Sequence, residues 1–431
     1  MNTTKGNPLA LLPFAVFLAT FLLAGIVTGD FYKISMLIPA ILAAVVALLL
    51  NRQETFSNKV EQFSKGAGHP DIMIMVLIFL LAGAFSSVAS SIGAVDATVN
   101  FALTYLPQNM IIVGIFIIGC FISLSMGTSV GTISALAPIA VGISAETELS
   151  AAISVAAVVS GAMFGDNLSI ISDTTIAAVR TQKTKMKDKF KTNFFIVLPA
   201  AIVTLVLLFF ITLGNTSGVT AESFDWLKIV PYIGVLAGAL AGLNVLAVLF
   251  AGILLAGFIG FLSSDYSVIM FMENITSGIT GMAELILLTI IIGGIVAMIQ
   301  YNGGIDYILN LLTRRVRTKK GAETSIAGLV ATTNLATANN TIAIITTGQL
   351  AKKIADDFHI DPRKSSSILD IFSCTVQGLI PYGAQLLTAA QFGEISPLSI
   401  LPYSFYPILI AIMGFVAIGT GFPRFKRPSV T

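Results

Sequence analysis

Side chains that could hold a cation are concentrated in one stretch of an otherwise apolar chain, residues 161–178. The stretch reads GAMFGDNLSIISDTTIAA and holds two carboxylates, Asp166 and Asp173. The neighbouring oxygen-bearing side chains belong to Asn167, Ser169, Ser172, Thr174 and Thr175. An ionised aspartate in hydrocarbon costs several kcal/mol unless it is paired, hydrated or bound to a cation, so we expect this stretch to be functional. Its hard oxygen ligands favour Na⁺, and a proton would compete for a desolvated carboxylate.

The composition places this stretch in a membrane protein. Of 431 residues, 55% are hydrophobic and 11% are charged, whereas soluble domains carry roughly 25% charged residues. Both cysteines, Cys120 and Cys374, fall in apolar runs and are expected to be buried thiols. The two histidines, His69 and His359, lie in polar loops and form no HExxH motif. We therefore expect neither an enzyme nor a nucleic-acid partner, and the expected surroundings are membrane lipid.

Long apolar runs predict the membrane-spanning helices, each of which needs about 20 apolar residues. The clear runs are 9–28, 31–50, 72–92, 108–126, 194–213, 244–262, 283–302 and 398–420. Shorter or more polar candidates, which could be halves of re-entrant hairpins or broken helices, are 127–143, 149–179, 229–243, 322–336, 337–352 and 364–391. The fold class expected is an all-α polytopic membrane protein with roughly 10–14 membrane segments.

Clusters of basic residues predict the orientation. Lys and Arg are concentrated in residues 180–191 and 314–320 and in the tail 424–427, and Lys5 lies near the start. Basic loops mark the cytoplasmic side, so both termini are expected in the cytoplasm of a multi-pass protein of the cell (inner) membrane. The acidic residues Glu146, Glu148, Glu222 and Asp225 then fall outside. These loops could also be solvated turns with no role beyond orientation.

A short internal match indicates an inverted repeat. IGAVDATVN at residues 92–100 resembles NGGIDYILN at residues 302–310, with Asp96 aligned to Asp306. Because the basic loops orient the two copies oppositely, we expect an inverted structural repeat with broken or re-entrant helices and a site near the midplane. The predicted division is two leading helices (1–50), a first repeat (51–214), connecting helices (215–265) and a second, inverted repeat (266–431).

The polar-interrupted segments of both repeats supply further candidate residues for the ion or substrate pathway. They are Gly127, Thr128, Ser129 and Thr132 in the first repeat and Asn334, Asn339, Asn340, Thr341, Asp370, Gln377 and Gln385 in the second. The first group could instead be small residues at a tight helix crossing, and Asp370 could lie at the cytoplasmic mouth. Gly165 and the polar residues after it are expected to break the helix begun near residue 149.

Two motifs carry a resemblance to a known family. Residues 126–132 (MGTSVGT) and 161–175 (GAMFGDNLSIISDTT) resemble the paired motifs of the NhaC-type sodium/proton antiporters of the ion transporter superfamily. The resemblance implies sodium-linked secondary transport, with Asp166, Ser169, Ser172, Asp173, Thr174 and Thr175 near the ion. The family often has Lys where Asn167 stands, Pro where Ile170 stands and Asn where Ile176 stands. The missing lysine changes the local charge and leaves the transported species and stoichiometry open.

Two transport hypotheses follow. The first is a Na⁺/H⁺ antiporter working by alternating access, with Na⁺ and H⁺ as the ions. The alternative is a sodium- or proton-coupled carrier for an amino acid or a small organic acid, favoured by the amide groups of Asn339, Asn340, Gln377 and Gln385. A third class is a channel, which the residues leave open, or a non-transporting subunit, against which the broken spans and the inverted repeat argue. The sequence leaves open whether the chain forms a homodimer.

Overall fold

A computed structural model describes residues 6–28, 35–105, 107–147, 149–170, 172–213, 223–262, 266–313 and 317–423. Within them the chain is built from α-helices, with two short 3-10 segments. Among the described residues, six helices are long and apolar enough to cross a bilayer, or eight if each of two bent pairs counts as one span. Three shorter apolar helices accompany them. The prediction of an all-α polytopic membrane protein is confirmed. Lys5, Glu148, Glu222, Arg314, Arg315 and the basic tail lie outside the described residues.

Three helices precede the first long series of membrane helices. They are α1 (Leu12–Thr28), α2 (Leu37–Leu49) and α3 (Phe56–Ala67). The first two are apolar, whereas α3 carries Lys59, Glu61 and Lys65. The Thr55 side chain caps α3 by accepting a hydrogen bond from the Asn58 amide.

The first series contains the stretch with both aspartates. Its helices are α4 (Pro70–Ser91), α5 (Ala94–Tyr105), α6 (Gln108–Met126), α7 (Ser129–Glu146), α8 (Ala151–Leu168), α9 (Asp173–Gln182) and α10 (Met186–Thr212). The chain bends by 117° between α5 and α6. The polar stretch therefore falls at the interruption between α8 and α9.

The second series repeats the first after three connecting helices. The connecting helices are α11 (Trp226–Leu240), α12 (Val245–Phe261) and α13 (Val268–Gly281). The second series is α14 (Ala283–Tyr301), α15 (Gly304–Thr313), α16 (Lys319–Thr337), α17 (Asn340–Asp357), α18 (Pro362–Gln377), α19 (Ala384–Gly393), α20 (Pro397–Ile400) and α21 (Phe405–Thr420). Each helix from α6 to α10 begins 211 residues before its counterpart among α16 to α20. The predicted internal repeat therefore extends far beyond the nine-residue match.

The matched motifs form the same turn in both series. Gly93 (φ 73°) turns the chain from α4 into α5, and Gly303 (φ 82°) turns it from α14 into α15. Glycine suits these positions because side chains disfavour positive φ. Asp96 and Asp306 follow in the first turns of α5 and α15, where a carboxylate is favourable beside the helix N-terminus.

The two series run in opposite directions. The broken pair α8–α9 lies beside the broken pair α18–α19, and α8 packs on α19 while α9 packs on α18. Pairs running in the same direction would instead place α8 along α18 and α9 along α19. The contact of α7 with α19 likewise has its equivalent in the contact of α17 with α9. The inverted repeat is therefore confirmed, whereas the residue limits proposed for the four parts of the chain stay a prediction.

Close packing between α6 and α8 depends on glycine. A Cβ on Gly161 would lie 2.4 Å from the Phe116 carbonyl oxygen, and one on Gly165 would lie 2.5 Å from the Leu124 amide nitrogen. The predicted break is present, but it lies in the polar residues that follow Gly165 and not at Gly165 itself. The Ser169 amide still donates to the Gly165 carbonyl at 2.7 Å, so α8 continues to Leu168 and the break follows it.

Candidate functional site

Four helix interruptions meet inside the protein. Gly127 (φ 70°) ends α6 and Ala338 (φ 48°) ends α16, both in the left-handed conformation common at helix C-termini. Thr128 and Asn339 then cap α7 and α17 by accepting hydrogen bonds from amides three residues later. The α8–α9 and α18–α19 interruptions complete the group. Polar helix ends of both repeats thus face one interior region.

A cavity of about 100 Å³ lies where these interruptions meet. Asp71, which the sequence analysis did not select, also lines it; Asp71 lies in the first turn of α4, where acidic residues are common for helix stability alone. Most of the predicted site residues line the cavity, namely Gly127, Thr128, Ser129, Asp166, Ser172, Asp173, Thr174, Asn339, Asn340, Thr341, Gln377 and Gln385.

Asp166 is the buried carboxylate of the cavity, with 3% of its surface exposed. Its Oδ2 accepts a hydrogen bond from Ser129 Oγ at 3.1 Å, and its Oδ1 accepts from Ser172 Oγ and, at 3.5 Å, from Thr174 Oγ1. The Ser172 and Thr174 hydroxyl oxygens are 2.8 Å apart. One carboxylate and three hydroxyl oxygens therefore converge from three helices.

Ser129 is part of this oxygen cluster. Residues 127–131 have the GxSxG spacing of the hydrolase nucleophile elbow, but that elbow needs a strand before the serine, and here α6 precedes it. The Ser129 hydroxyl instead links Asp166 to Gln385, whose Nε2 donates to Ser129 Oγ at 3.0 Å. This geometry suits ion binding and gives no reason to assign a nucleophile.

Amide side chains of the second repeat form another wall of the cavity. Gln377 Nε2 donates to Gln385 Oε1 at 2.7 Å and to the Ala338 carbonyl oxygen at 3.1 Å. Through Gln385 and Ser129, this hydrogen-bond chain reaches Asp166. Gln377 Oε1 has no hydrogen-bond partner in the part of the chain that the structure describes. It can therefore accept from, or coordinate, a ligand.

Asp173 lies in a different environment from Asp166. It is the first residue of α9, it is exposed, and it lines the cavity together with Asp71. The two aspartates therefore differ in burial, because the α8–α9 interruption separates Asp173 from the buried end of α8. Its carboxylate can attract a cation to the cavity, whereas Asp166 lies at the buried end.

Beside the cavity, Lys189 and Asp370 form a buried ion pair. The Lys189 Nζ lies 2.8 Å from Asp370 Oδ2, and the two side chains are 1% and 0% exposed. Lys189 also donates to the Asn167 carbonyl oxygen at 2.8 Å and to Thr175 Oγ1 at 2.6 Å. Three predicted site residues, Asn167, Thr175 and Asp370, thus belong to this network, and Asp370 does not lie at an exposed mouth.

Lys189, which the sequence groups with the basic residues 180–191, is buried and does not belong to a solvated turn. Lys183, Lys185, Lys187 and Lys191 are exposed, but Lys189 lies on the inward face of α10. It places a positive charge at the Asn167 carbonyl. A lysine from α10 therefore lies beside the position at which the family often has one. The spacing of Lys189 and Asn193, one helical turn apart, was the available signal.

Two further polar groups complete the network around Asn167. Asn193 Nδ2 donates to Asp370 Oδ2 at 2.7 Å, and Tyr406 OH donates to Asn167 Oδ1 at 2.8 Å. Sequence reasoning missed both residues. A single tyrosine or asparagine within an apolar run gives little indication of what it contacts, since its partners come from distant segments.

The remaining predicted residues lie away from the cavity. Thr132 is buried and donates to the Thr128 carbonyl oxygen at 2.8 Å. Asn334 Nδ2 donates to the Ser373 carbonyl oxygen at 2.6 Å and so ties α16 to α18. Ser169 is buried at the end of α8. These contacts hold the interrupted helices in place.

Antiparallel broken helices around a buried polar site are an architecture of secondary transporters. The family model described as "Na+/H+ antiporter family" matches residues 7–213 and 216–423. The chain therefore belongs to the Na⁺/H⁺ antiporter family, and membership implies Na⁺ and H⁺ as transported ions.

The chain is also similar to individual proteins. The chain is 25% identical over 394 residues to the Na⁺/H⁺ antiporter NhaC of Bacillus subtilis, covering 81% of this chain and 84% of the relative. It is 22% identical over 409 residues to the malate-2H⁺/Na⁺-lactate antiporter of the same organism, covering 87% and 85%. Among solved structures, the Alcanivorax borkumensis YdaH transporter aligns with a TM-score of 0.42 and 18% identity over 87% of this chain and 91% of that one.

Proposed function

We propose that the protein exchanges Na⁺ for H⁺ by alternating access, and that both ions use the carboxylate of Asp166. The observation that carries this proposal is the burial of Asp166 at a polar cavity, where three hydroxyl oxygens surround it. Na⁺ would be held by the Asp166 carboxylate with the oxygens of Ser129, Ser172 and Thr174. A protonated Asp166 would lose its attraction for Na⁺, so one ion leaves when the other binds.

The burial of the carboxylate supports competition between the two ions. Desolvation disfavours an ionised carboxylate without a nearby cation, and the hydroxyl donors offset only part of that cost. Asp166 is therefore stabilised either by Na⁺ or by a proton. The exchange requires no other titratable group in the cavity.

The half-buried carboxylate of Asp71 and the exposed carboxylate of Asp173 support access from one side in this conformation. Asp71 and Asp173 line the cavity, and Asp71 lies where α4 begins. Basic loops mark the cytoplasmic side, so we infer that this end of α4 and both termini are cytoplasmic and that the protein lies in the cell (inner) membrane. The cavity would then be open to the cytoplasm. Rearrangement of the two broken pairs would expose Asp166 to the opposite side.

Proteoliposomes containing the purified protein and a pH-sensitive dye test the proposal. An inward Na⁺ gradient should drive protons out and make the lumen alkaline, and choline in place of Na⁺ should give no signal. An unchanged lumenal pH under a steep Na⁺ gradient, with the protein folded and reconstituted, would reject Na⁺/H⁺ exchange.

A second candidate is Na⁺-linked transport of a small organic acid. The free Gln377 Oε1 and the relative that exchanges malate and lactate favour it. The cavity of about 100 Å³ is small beside the roughly 300–1,000 Å³ of pockets for larger ligands, which favours a bare ion. Uptake of labelled lactate or malate driven by Na⁺, without Na⁺-driven proton movement, would select the organic-acid carrier.

A further inference from the structure

The ammonium group of Lys189 is enclosed by three oxygen atoms. Its Nζ lies 2.6 Å from Thr175 Oγ1, 2.8 Å from the Asn167 carbonyl oxygen and 2.8 Å from Asp370 Oδ2. An ammonium has three N–H donors, so each of them has an acceptor. We call these three oxygens the Lys189 cage.

The oxygens of the Lys189 cage are of the types that bind a free alkali cation. One is a carboxylate, one a hydroxyl and one a main-chain carbonyl. Asn167 lies in the last turn of α8, where carbonyl groups have no partner within the helix, and such groups at broken transporter helices coordinate Na⁺. Thr175 comes from α9, beyond the break, and Asp370 comes from α18. The cage therefore spans one helix interruption and joins the two repeats.

Asp370 has coordinating capacity that the lysine does not use. Its Oδ2 also accepts hydrogen bonds from Asn167 Nδ2 at 3.1 Å and Asn193 Nδ2 at 2.7 Å. Its Oδ1 has no hydrogen-bond partner among the residues described by the structure. Buried oxygens are rarely left without a donor. A free cation in place of the ammonium could bind both carboxylate oxygens.

We propose that Lys189 is a covalently attached substitute for a second bound cation. Its ammonium fills a cation site formed by the Asp370 carboxylate, the Asn167 carbonyl and the Thr175 hydroxyl. The positive charge stays with the protein during transport instead of crossing the membrane. This inference rests on the proposed Na⁺ site at Asp166. Because Lys189 fills the cage, Na⁺ can bind at Asp166 but not at the neighbouring cage.

Replacement of the lysine tests this assignment. Lys189→Ala removes the ammonium and keeps all three oxygens, which leaves Asp370 buried without its counter-charge. Na⁺ should then enter the cage. We expect purified Lys189→Ala to bind one more Na⁺ per chain than the wild type in equilibrium binding of radioactive Na⁺. NaCl should also raise its unfolding temperature more than choline chloride does, because the ion binds the folded state.

Two matched variants identify the site of the extra ion. Lys189→Arg keeps the positive charge and should bind as many Na⁺ as the wild type. Lys189→Ala/Asp370→Asn removes both charges and should lose the extra Na⁺. Equal Na⁺ binding by Lys189→Ala and the wild type would overturn the proposal. It would also be overturned if Lys189→Ala failed to fold in Na⁺ while Lys189→Ala/Asp370→Asn folded, since Na⁺ would not be compensating Asp370.

The Asp166→Asn background separates this proposal from the proposed function. Asp166→Asn alone should bind no Na⁺ in the cavity, and Asp166→Asn/Lys189→Ala should bind one Na⁺ in the cage. Wild-type Na⁺ binding by Asp166→Asn would reject the cavity assignment. The comparison between proteins with and without Lys189 would still decide whether the cage accepts Na⁺.

Discussion

At the scale of single residues, the two aspartates of the α8–α9 stretch differ in exposure and therefore in role. Asp166 is buried and receives hydroxyl donors, whereas Asp173 is exposed beside Asp71. An exposed carboxylate raises the local concentration of cations. A buried carboxylate must have a cation or a proton. We therefore assign binding to Asp166 and attraction of ions to Asp173.

Competition between H⁺ and Na⁺ gives a quantitative expectation. Once Asp166 is mostly protonated, each tenfold rise in proton concentration should weaken the apparent Na⁺ affinity about tenfold, since one proton displaces one Na⁺. Equilibrium Na⁺ binding to the purified protein at several pH values measures this slope. An apparent Na⁺ affinity that is constant from weakly acidic to alkaline pH would show that no proton competes.

Ser129→Ala should weaken Na⁺ binding without unfolding the protein. It removes one oxygen near the ion and one hydrogen bond to Asp166, and the loss of a hydrogen bond to a charged group costs about 1.5–3 kcal/mol. The apparent Na⁺ dissociation constant should therefore rise by roughly ten- to a hundredfold.

Ser134→Ala is the matched control for Ser129→Ala. Ser134 is a buried serine on the same helix, and its hydroxyl has no hydrogen-bond partner in the described ranges. Its removal should leave Na⁺ affinity unchanged. Equal Na⁺ affinities of the two variants would remove Ser129 from the site.

The sequence predicts a functional residue when its side chain differs in polarity from the residues around it. Asp166 was predicted because a carboxylate within apolar sequence is conspicuous. Lys189 was not predicted, because it is one of several lysines in residues 180–191 and the sequence does not distinguish it from its neighbours, which are exposed. Its burial depends on Asn167, Thr175 and Asp370, which come from three other segments of the chain. A basic residue at the edge of a loop does not reveal such partners.

At the scale of helices, the interruption between α8 and α9 organises the site. The apolar runs indicated which segments form long helices, but they did not give the position of the break. Gly165 suggested a break, yet it lies inside α8 against the Leu124 amide and the Cys120 carbonyl of α6. A glycine that terminates a helix and one that allows close helix packing look alike in a single sequence.

Gly165→Ala should destabilise the protein because the added methyl group would overlap the backbone of α6. Its Cβ would lie 2.5 Å from the Leu124 amide nitrogen, and overpacking of this kind costs about 1–3 kcal/mol. Gly328→Ala on α16 is the control, since no atom from another segment of the chain lies within 4 Å of its added Cβ. Thermal unfolding of both purified variants should show a lower midpoint for Gly165→Ala and an unchanged or higher one for Gly328→Ala. A wild-type midpoint for Gly165→Ala would contradict the packing account.

At the scale of the whole molecule, the two repeats are alike in backbone and different in charge. The constant separation of 211 residues makes three pairs of positions equivalent in the two repeats. They are Asp166 and Gln377, Ser129 and Asn340, and Thr174 and Gln385. The first repeat therefore supplies a carboxylate and hydroxyls, and the second supplies amides. The short sequence match revealed the repeat, but only the three-dimensional pairing of α8 with α19 and α9 with α18 brings these residues to one cavity.

This relation predicts that the carboxylate can be moved between the repeats. Asp166→Asn/Gln377→Glu places the charge at the equivalent position beside the same cavity. The double variant should bind Na⁺ more weakly than the wild type but more tightly than Asp166→Asn, as measured by equilibrium Na⁺ binding. If the double variant binds Na⁺ as weakly as Asp166→Asn does, a carboxylate at position 377 does not reach the ion.

Na⁺-driven proton movement by Asp166→Asn in proteoliposomes, compared with Ser134→Ala at equal reconstitution, decides whether Asp166 carries both ions. Asparagine keeps the size of the side chain and removes the charge that both ions require. We expect Asp166→Asn to insert and fold but to give no lumenal pH change, while Ser134→Ala exchanges at the wild-type rate. Exchange by Asp166→Asn at the wild-type rate would contradict this expectation.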